Sequence, residues 1–383
     1  MKFLYILFFI LFLQNNALQV DDKALVIVPV ADLAFNSIEK QNKNVQSIYD
    51  SFCYAYSWDK SSFLRCHQLL FNELVKIKTV LNYEVEVELS NIFCHCDGQK
   101  MSNFWVLKNN LLFLKDLPSA QYLKTIPALN LEVLTLIFPH QDPKTKIIFS
   151  AGTQFVHLKN EDDEKNYTVI FINPKTLKTE KIKIEKEAAI SQTSPNFGSI
   201  NLFVSILKKW ANMKDGFIPY VWGGTSFCKI HSENKFDLIC QEDSCYWCRP
   251  ELEKIITGLD CSGLIFRAAQ IAGLKYFFKN TFTLSVFLKP LTENEKIKNG
   301  YLIYHEGHVM VISDVKRNKL IESCGYCVGY GKVHELPLNK VFKDIENFEQ
   351  LKKAFFNNEP LIRLDSKGEI FREIKKFKIL KME

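Results

Sequence analysis

A sharp turn followed by a helix is encoded by Leu259-Asp260-Cys261-Ser262-Gly263-Leu264-Ile265, and the rest of the fold can be built outward from it. Apolar residues recur at helical spacing after Cys261, and Gly273 is a natural helix stop, so we predict a helix that begins near Cys261. The unpaired N–H groups and dipole of a helix start lower a thiol pKa and can steady an oxyanion. Cys261 is therefore a candidate nucleophile.

A histidine follows at the start of an apolar strand, in Gly307-His308-Val309-Met310-Val311-Ile312. If the next strand pairs symmetrically about Val315, Glu322 lies directly opposite His308, within about 5 Å. His308 would then be the general base, and Glu322 would hold its imidazole in the required tautomer. His305 is the alternative base, less favoured because it precedes the strand, and Glu322 exposed to solvent is the alternative for the carboxylate.

Composition sets broad limits on function. The chain has 383 residues, 47% hydrophobic and 24% charged, which suits a globular protein of about two or three domains. Its formal charge of +6 is modest, and no basic block with interleaved aromatics is present in the sequence, which argues against a nucleic-acid partner.

The N-terminus has the pattern of a secretory signal peptide. Lys2 precedes an unbroken apolar run over 3–13, and polar residues then lead to Ala17. The run is too short to span a bilayer comfortably, although a retained membrane anchor is the alternative. We therefore expect residues 1–17 to be removed and the protein to be exported, to the periplasm or beyond, with no membrane span afterwards.

Eleven cysteines fit an exported protein with disulfides. Apart from Cys261 there are ten, an even number, and their connectivity cannot be read from the sequence. The two C-x-x-C units, Cys245–Cys248 and Cys324–Cys327, could instead bind zinc, which is the less favoured alternative. The ten are Cys53, Cys66, Cys94, Cys96, Cys228, Cys240, Cys245, Cys248, Cys324 and Cys327.

Upstream of the helix, the chain divides into two β-rich stretches, 23–117 and 126–190, with short strands typical of small barrels. In the first, we predict one strand over 69–77 and a hairpin formed by 104–107 and 111–114. A linker over 191–199 precedes a helix whose apolar positions run from Leu202 to Trp210. A cysteine-rich insertion occupies 228–250. The lysine-rich segment 364–383 is predicted to be a solvated tail, with attachment to a wall polymer as the alternative.

Three motifs in this order resemble the NlpC/P60 family of cysteine peptidases: Tyr220-Val221-Trp222-Gly223-Gly224-Thr225, the Cys261 turn and the His308 strand. The resemblance covers about 201–348. In addition, Val28-Pro29-Val30-Ala31-Asp32-Leu33 resembles the opening of the bacterial SH3-like modules that precede this domain in some members. The implied architecture is α+β, with two small SH3-like β-barrels before a papain-like catalytic domain over 200–363.

The resemblance also implies residue roles. Cys261 would be the nucleophile, His308 the base and Glu322 the orienting group, where many members have a second histidine. Substrate-binding candidates follow from matched positions, with packing, helix capping or a solvated strand position as the ordinary alternatives. These candidates are Tyr220, Asp260, Ser262, Thr281 and, for the free amino end of the substrate, Glu73.

Members of the family cleave the peptide stems of bacterial peptidoglycan between γ-D-glutamate and a diamino acid, and this implies the same activity here. No metal or cofactor is expected. A Cys-His amidase or acyltransferase of the same fold is one alternative, and a catalytically inert wall-binding protein is another. The sequence indicates no oligomeric state.

Overall fold

A computed structural model describes residues 22–51, 65–89, 94–96, 99–117, 120–130, 132–232, 257–274 and 279–382. The predicted signal peptide, 1–17, lies outside these ranges, as does most of the cysteine-rich insertion, 233–250. Within these ranges, no helix has the length and apolar character needed to cross a lipid bilayer.

The first module, residues 23–113, is built on a seven-stranded antiparallel sheet in the order β3-β2-β8-β5-β4-β1-β9, with a separate ribbon β6-β7. Its elements are β1 Lys23–Val26, β2 Val30–Ala34, α1 Val45–Ser51, β3 Arg65–Leu70, β4 Leu74–Val80, β5 Glu84–Glu88, β6 Cys94–Cys96, β7 Gln99–Met101, β8 Asn103–Leu107 and β9 Leu111–Phe113.

Two local predictions for this module are wrong. The strand predicted over 69–77 is two strands, because Asn72 adopts a left-handed conformation (φ 66°) and turns the chain between β3 and β4. The predicted hairpin does not form, because β8 pairs with β5 and β2 whereas β9 pairs with β1. Alternating apolar residues indicate where strands lie but not which strands pair. β9 therefore pairs with β1, which is distant along the chain, and not with its neighbour β8.

The second module has a five-stranded sheet in the order β15-β14-β13-β10-β16 and a short ribbon β11-β12. Its core is a cluster of phenylalanines that includes Phe71 from the first module, whose ring meets Phe149 edge-on at 5.0 Å. The two modules therefore share apolar packing, and their identification as SH3-like barrels stays a prediction. The strands are β10 Val133–Leu136, β11 His140–Gln141, β12 Ile148–Phe149, β13 Gln154–His157, β14 Asn166–Ile172, β15 Thr179–Glu185 and β16 Ala189–Ser191.

The C-terminal domain places helices on both faces of a five-stranded antiparallel sheet, β22-β21-β20-β19-β25. One face packs against α2 and α3, and the other against α5 and α6. Both predicted helices form, and Gly273 (φ 78°) ends α3 as expected. The elements are α2 Ile200–Ala211, β17 Thr225–Ser226, β18 Gly258–Leu259, α3 Cys261–Ala272, α4 Thr281–Phe287, β19 Leu302–His305, β20 His308–Asp314, β21 Lys319–Ser323, β22 Val333–Pro337, α5 Leu338–Val341, α6 Phe348–Phe356, β23 Leu361–Leu364, β24 Ile370–Ile374 and β25 Phe377–Leu380.

The lysine-rich segment 364–383 is not the solvated tail that its charge suggested. It contributes β24 to a ribbon with β23, and β25 is an edge strand that pairs with β19 from Leu302↔Leu380 to His305↔Phe377. All three apolar side chains of β25 are buried, Phe377 and Ile379 in one apolar cluster and Leu380 in the other, while its lysine is exposed. The period-two pattern outweighs the overall charge here.

The first module touches the glycine-rich loop 222–225 of the C-terminal domain. Arg65 Nη1 donates to the Trp222 carbonyl at 3.3 Å, and Gln68 Oε1 accepts from the Thr225 backbone N–H at 2.9 Å. Gly223 has φ 67°, and a Cβ there would collide with the Arg65 carbonyl. This glycine is thus required both by its own conformation and by the close approach of the first module.

Candidate active site

The turn before α3 places Cys261 as the first residue of the helix. Asp260 caps the helix, accepting the Gly263 backbone N–H on Oδ1 at 2.5 Å. A Cβ at Gly263 would overlap the Gly224 carbonyl oxygen, so the glycine lets the Trp222–Thr225 loop lie directly on the helix start. The Cys261 thiol is 7% exposed and lies near the Val309 backbone N–H, beside the start of β20.

The pKa of this thiol is not lowered as the helix start suggested. Burial raises the pKa of Cys261 to about 12, and the Asp260 carboxylate adds to the rise. Lys279 and the backbone N–H groups of Val309 and Ser262 oppose this effect without overcoming it. Desolvation of the thiolate outweighs the groups that favour it, so the thiol form of Cys261 is favoured.

The structure brings His308 and Glu322 together. His308 Nε2 lies 2.7 Å from Glu322 Oε2, and Glu322 is fully buried, so the alternative of a solvent-exposed Glu322 is wrong. With Nε2 occupied by the carboxylate, Nδ1 is the ring nitrogen left to accept a proton.

The strand register that led to this pair is nevertheless wrong. β20 and β21 pair as Val311↔Ile321 and Ile312↔Leu320, with a bulge before Asp314. Continued along the strands, this register sets Glu322 opposite Met310 instead of His308. The contact is therefore diagonal, which long side chains on one face of a sheet can span.

Two residues that sequence reasoning missed hold Glu322 from its other oxygen. Arg363 Nη2 donates to Oε1 at 2.5 Å, and His334 Nε2 lies 3.1 Å from the same atom. Burial favours the protonated carboxyl, but Arg363 and the hydrogen bonds from His308 and His334 hold the pKa of Glu322 well below its usual range. Glu322 is thus ionised behind the imidazole at neutral pH.

The sequence contains a signal for His334 but none for Arg363. His334 faces Glu322 in the β21–β22 register, so a recognised β22 strand would have identified it. Arg363 reaches the site from β23, which belongs to a separate two-stranded ribbon, and no local pattern marks it.

A second thiol, Cys324, borders the same group. A ring nitrogen of His308, a carboxylate oxygen of Glu322 and Cys324 Sγ all lie within 4.8 Å of one another. Arg363 Nη2 is 3.9 Å from this sulfur. Burial and then Glu322 raise the pKa of the Cys324 thiol well above its usual range, while Arg363 opposes the rise.

The predicted disulfides find no support where cysteine side chains are described. Five cysteines carry thiols, including both members of the second C-x-x-C unit. The first C-x-x-C unit, with its alternative of zinc, lies outside the described residues, as do Cys53 and Cys240, and the side chains of Cys94 and Cys96 are not described. The five are Cys66, Cys228, Cys261, Cys324 and Cys327.

Asp260 and Ser262 form a buried network with a lysine. Lys279 Nζ donates to Asp260 Oδ2 at 2.6 Å and to Ser262 Oγ at 3.1 Å, and all three residues are buried. Ser262 Oγ also donates to Asp260 Oδ1 at 2.9 Å. The polar atoms of Asp260 and Ser262 thus hydrogen-bond to each other, to Lys279 and, from Asp260, to the first turn of α3. Contact of either residue with substrate stays a prediction.

Tyr220 and Thr281, the two remaining substrate-binding candidates of the C-terminal domain, differ in their surroundings. Tyr220 is buried, its N–H donates to the Gly331 carbonyl at 2.8 Å, and its ring passes beside Gly325. Thr281 is half-buried at the start of α4, two residues after Lys279. A role for either in substrate binding stays a prediction.

Glu73 is engaged elsewhere. It lies in the turn between β3 and β4, with Oε1 3.4 Å from Nη1 of the buried Arg267 on α3. Burial raises the pKa of Glu73, and Arg267 opposes the rise. Because a buried guanidinium needs a counter-charge, Glu73 joins the first module to α3, which does not fit the predicted role of capturing a free amino end.

His305, the alternative base, lies at the end of β19, where its ring centroid is 5.4 Å from that of His308. Its Nδ1 is 3.0 Å from the Glu306 carbonyl. Burial, with smaller effects of His308 and nearby arginines, lowers the pKa of His305 to about 3. The anionic Glu322 contacts His308 instead, and the role of His308 as the general base stays a prediction.

Comparisons with known proteins agree at the level of the fold. No protein-family model matches the chain, and no curated protein matches its sequence. Among solved structures, an NlpC/P60 family protein from Bacillus cereus ATCC 10987 is similar, with TM-score 0.51 and 15% identity over 83% of this chain and 94% of the other.

Two further structures, NlpC2 and NlpC1 from Trichomonas vaginalis, match with TM-scores of 0.33 and 0.32 at 11% and 12% identity. They cover 83% and 85% of this chain, and 92% and 91% of their own chains. These scores are too low to carry an argument. The chain therefore shares a mixed α and β fold with an NlpC/P60 family protein, at an identity that shows the fold alone.

Proposed function

We propose that this protein is an exported thiol peptidase that cleaves bacterial peptidoglycan stems between γ-D-glutamate and a diamino acid. The observation that carries the proposal is the buried Glu322 anion on His308 Nε2, 2.7 Å away, next to Val309, whose backbone N–H lies by the Cys261 thiol. The fold shared with an NlpC/P60 family protein supports the same class of chemistry.

The mechanism follows from the electrostatics of the group. Because the pKa of Cys261 is raised to about 12, a preformed thiolate is not the resting state. His308 would accept the thiol proton on Nδ1 as the sulfur attacks the carbonyl carbon, and Glu322 would stabilise the imidazolium that forms. The backbone N–H of Cys261 would donate to the oxyanion, and His308 would return the proton to the amine as the C–N bond breaks. Water, deprotonated by His308, would then hydrolyse the thioester, releasing the carboxylate and restoring the Cys261 thiol.

The substrate is tested by digestion of L-Ala-γ-D-Glu-diaminopimelate and of intact wall, read by mass spectrometry. The peptidase predicts release of free diaminopimelic acid, lost in Cys261→Ala and retained in Cys66→Ala, which makes the same chemical change in the first module. Binding without release would favour the inert wall-binding protein. Cleavage or transfer at a different bond would favour the amidase or acyltransferase.

A further inference from the structure

The donor atoms around His308 form a second chemical possibility that peptide hydrolysis does not use. An imidazole nitrogen, a carboxylate oxygen and a thiol sulfur, from His308, Glu322 and Cys324, lie within 4.8 Å of one another. This set of nitrogen, oxygen and sulfur donors is the one that binds Zn²⁺ in proteins, whereas Mg²⁺ and Ca²⁺ prefer oxygen alone.

We propose that His308, Glu322 and Cys324 form an inhibitory Zn²⁺ site in which the cation takes the place of the His308–Glu322 hydrogen bond. The metal binding does not depend on the proposed peptidase activity; only the inhibition does.

The geometry requires small adjustments. Zn²⁺ bonds of about 2.0–2.3 Å at tetrahedral angles place donor atoms roughly 3.3–3.7 Å apart. His308 Nε2 and Glu322 Oε2 are now 2.7 Å apart and must move apart by roughly half an ångström or slightly more. Cys324 Sγ, within 4.8 Å of both atoms, must come to the same donor–donor distance from them. Arg363 and His334 bind Oε1 of Glu322, so Oε2 is the oxygen that faces the cation.

The Glu322 carboxylate and a Cys324 thiolate would together neutralise the divalent cation, and Arg363 leaves the group with one net positive charge. Without it, the pKa of the buried Cys324 thiol is held well above its usual range, so the site is not a standing thiolate. A bound divalent cation favours the thiolate directly, and Arg363, 3.9 Å from the sulfur, compensates part of its negative charge. One proton leaves Cys324 for solvent as the metal binds, so binding should strengthen as pH rises.

Inhibition follows from the imidazole tautomer. The cation needs the Nε2 lone pair, because Nε2 is the ring nitrogen facing Glu322. The single proton of the neutral ring must then sit on Nδ1, which can no longer accept the proton of Cys261.

Binding is tested with Co²⁺, whose thiolate bond gives a charge-transfer absorption, in the full chain carrying Cys261→Ala. We expect this absorption to fall by one thiolate when Cys324→Ala is added, and not when Cys66→Ala is added. Zn²⁺ competition should show affinity at least about tenfold weaker without Cys324, since loss even of a group that only orients a metal ligand costs about 10- to 100-fold. Cys324→Ser is a second variant that also removes the thiolate, and circular dichroism shows whether each variant is folded. Equal absorption and affinity with and without Cys324 would overturn the site, whatever the enzyme cleaves.

Inhibition is tested in the chain with Cys261 intact, by stem-peptide cleavage against buffered free Zn²⁺. The wild-type protein and Cys66→Ala should be inhibited alike, and Cys324→Ala should need at least about tenfold more Zn²⁺. Equal sensitivity of all three would mean that the cation acts on Cys261 and His308 alone and would reject the proposed inhibition. If no variant cleaves the peptide, the proposed function fails and the Co²⁺ measurement still decides the site.

Discussion

At the scale of single residues, the site depends on a buried anion that is held from both of its oxygens. Glu322 meets His308 on one side and Arg363 with His334 on the other. A carboxylate in this setting stays ionised despite complete burial, because the guanidinium charge and the hydrogen bonds from the two histidines together outweigh the desolvation cost. The orientation of the imidazole is therefore set by partners from three different strands.

Glu322→Gln should lower kcat by about 10²- to 10⁴-fold with little change in KM, because the neutral amide no longer stabilises the imidazolium. The measurement is steady-state cleavage of the stem peptide. Glu335→Gln is the matched control, since Glu335 pairs with Lys319 on the same sheet at 3.3 Å. An equal loss in both variants would assign Glu322 a purely structural role.

Arg363→Met should move the acid limb of the kcat profile to higher pH. The depressed pKa of Glu322 gives a contribution to stability that is present above its unfolded value and lost as pH falls through the folded value. Without Arg363 the folded pKa rises, so both this contribution and the ionised form are lost at higher pH. We also expect a loss of about 3–5 kcal/mol in urea unfolding, as for other broken buried pairs. Exposed Arg317→Met is the control, and an unshifted acid limb would contradict the assignment.

At the scale of elements, the start of α3 is set by a backbone contact. Gly263 lies where any Cβ would overlap the Gly224 carbonyl, so the helix start and the glycine-rich loop can only meet through glycine. The sequence predicted this helix and its stop, and left helix capping as the alternative role of Asp260, because capping and helical periodicity are local signals.

Gly263→Ala should separate α3 from the Trp222–Thr225 loop and cost at least about 1–3 kcal/mol, as overpacking does. Activity should fall because the Cys261 thiol moves with the helix start. Gly325→Ala is the matched control, since a Cβ there meets nothing closer than the Tyr220 ring at 3.6 Å. Unchanged activity in Gly263→Ala would show that the Trp222–Thr225 loop moves to admit the Cβ while the start of α3 stays in place.

What the sequence could not supply at this scale was long-range pairing. The His308–Glu322 contact was reached through a wrong register, because the bulge before Asp314 has no sequence signature that fixes its place. β9 pairs with β1, far away along the chain, and Arg363 arrives from another ribbon for the same reason. Local signals identify elements, whereas sheet order depends on the total packing.

At the scale of the whole molecule, the first module and the C-terminal domain share a buried interface. Phe266 of α3 belongs to the apolar core of the first module, and the ring of His67 on β3 meets it edge-on at 5.0 Å. Within the described part of the chain, neither ring nitrogen of His67 has a hydrogen-bond partner. Burial, then Arg267 and Lys279, lowers the pKa of His67 well below its usual range.

His67→Leu should therefore make the free energy of unfolding depend less on pH below about pH 6.5. Below about pH 6.5 the unfolded histidine binds a proton that the folded one does not, so the native state loses up to about 1.4 kcal/mol per pH unit. Leucine has no such proton, and its stability relative to wild type should rise steadily from pH 6.5 to 5 in urea unfolding. Parallel pH profiles for the two proteins would contradict a neutral buried His67.

The edge strand β25 has a consequence for the order of events during synthesis. β25 pairs with β19, and a two-residue turn joins β19 to His308 at the start of β20. When the ribosome has added residue 363, the chain already contains Cys261, His308, Glu322 and Arg363. The five-stranded sheet still lacks its edge strand, β25. The sheet that carries His308 therefore cannot complete its hydrogen bonding until roughly 17 further residues have been added after the last member of the candidate site.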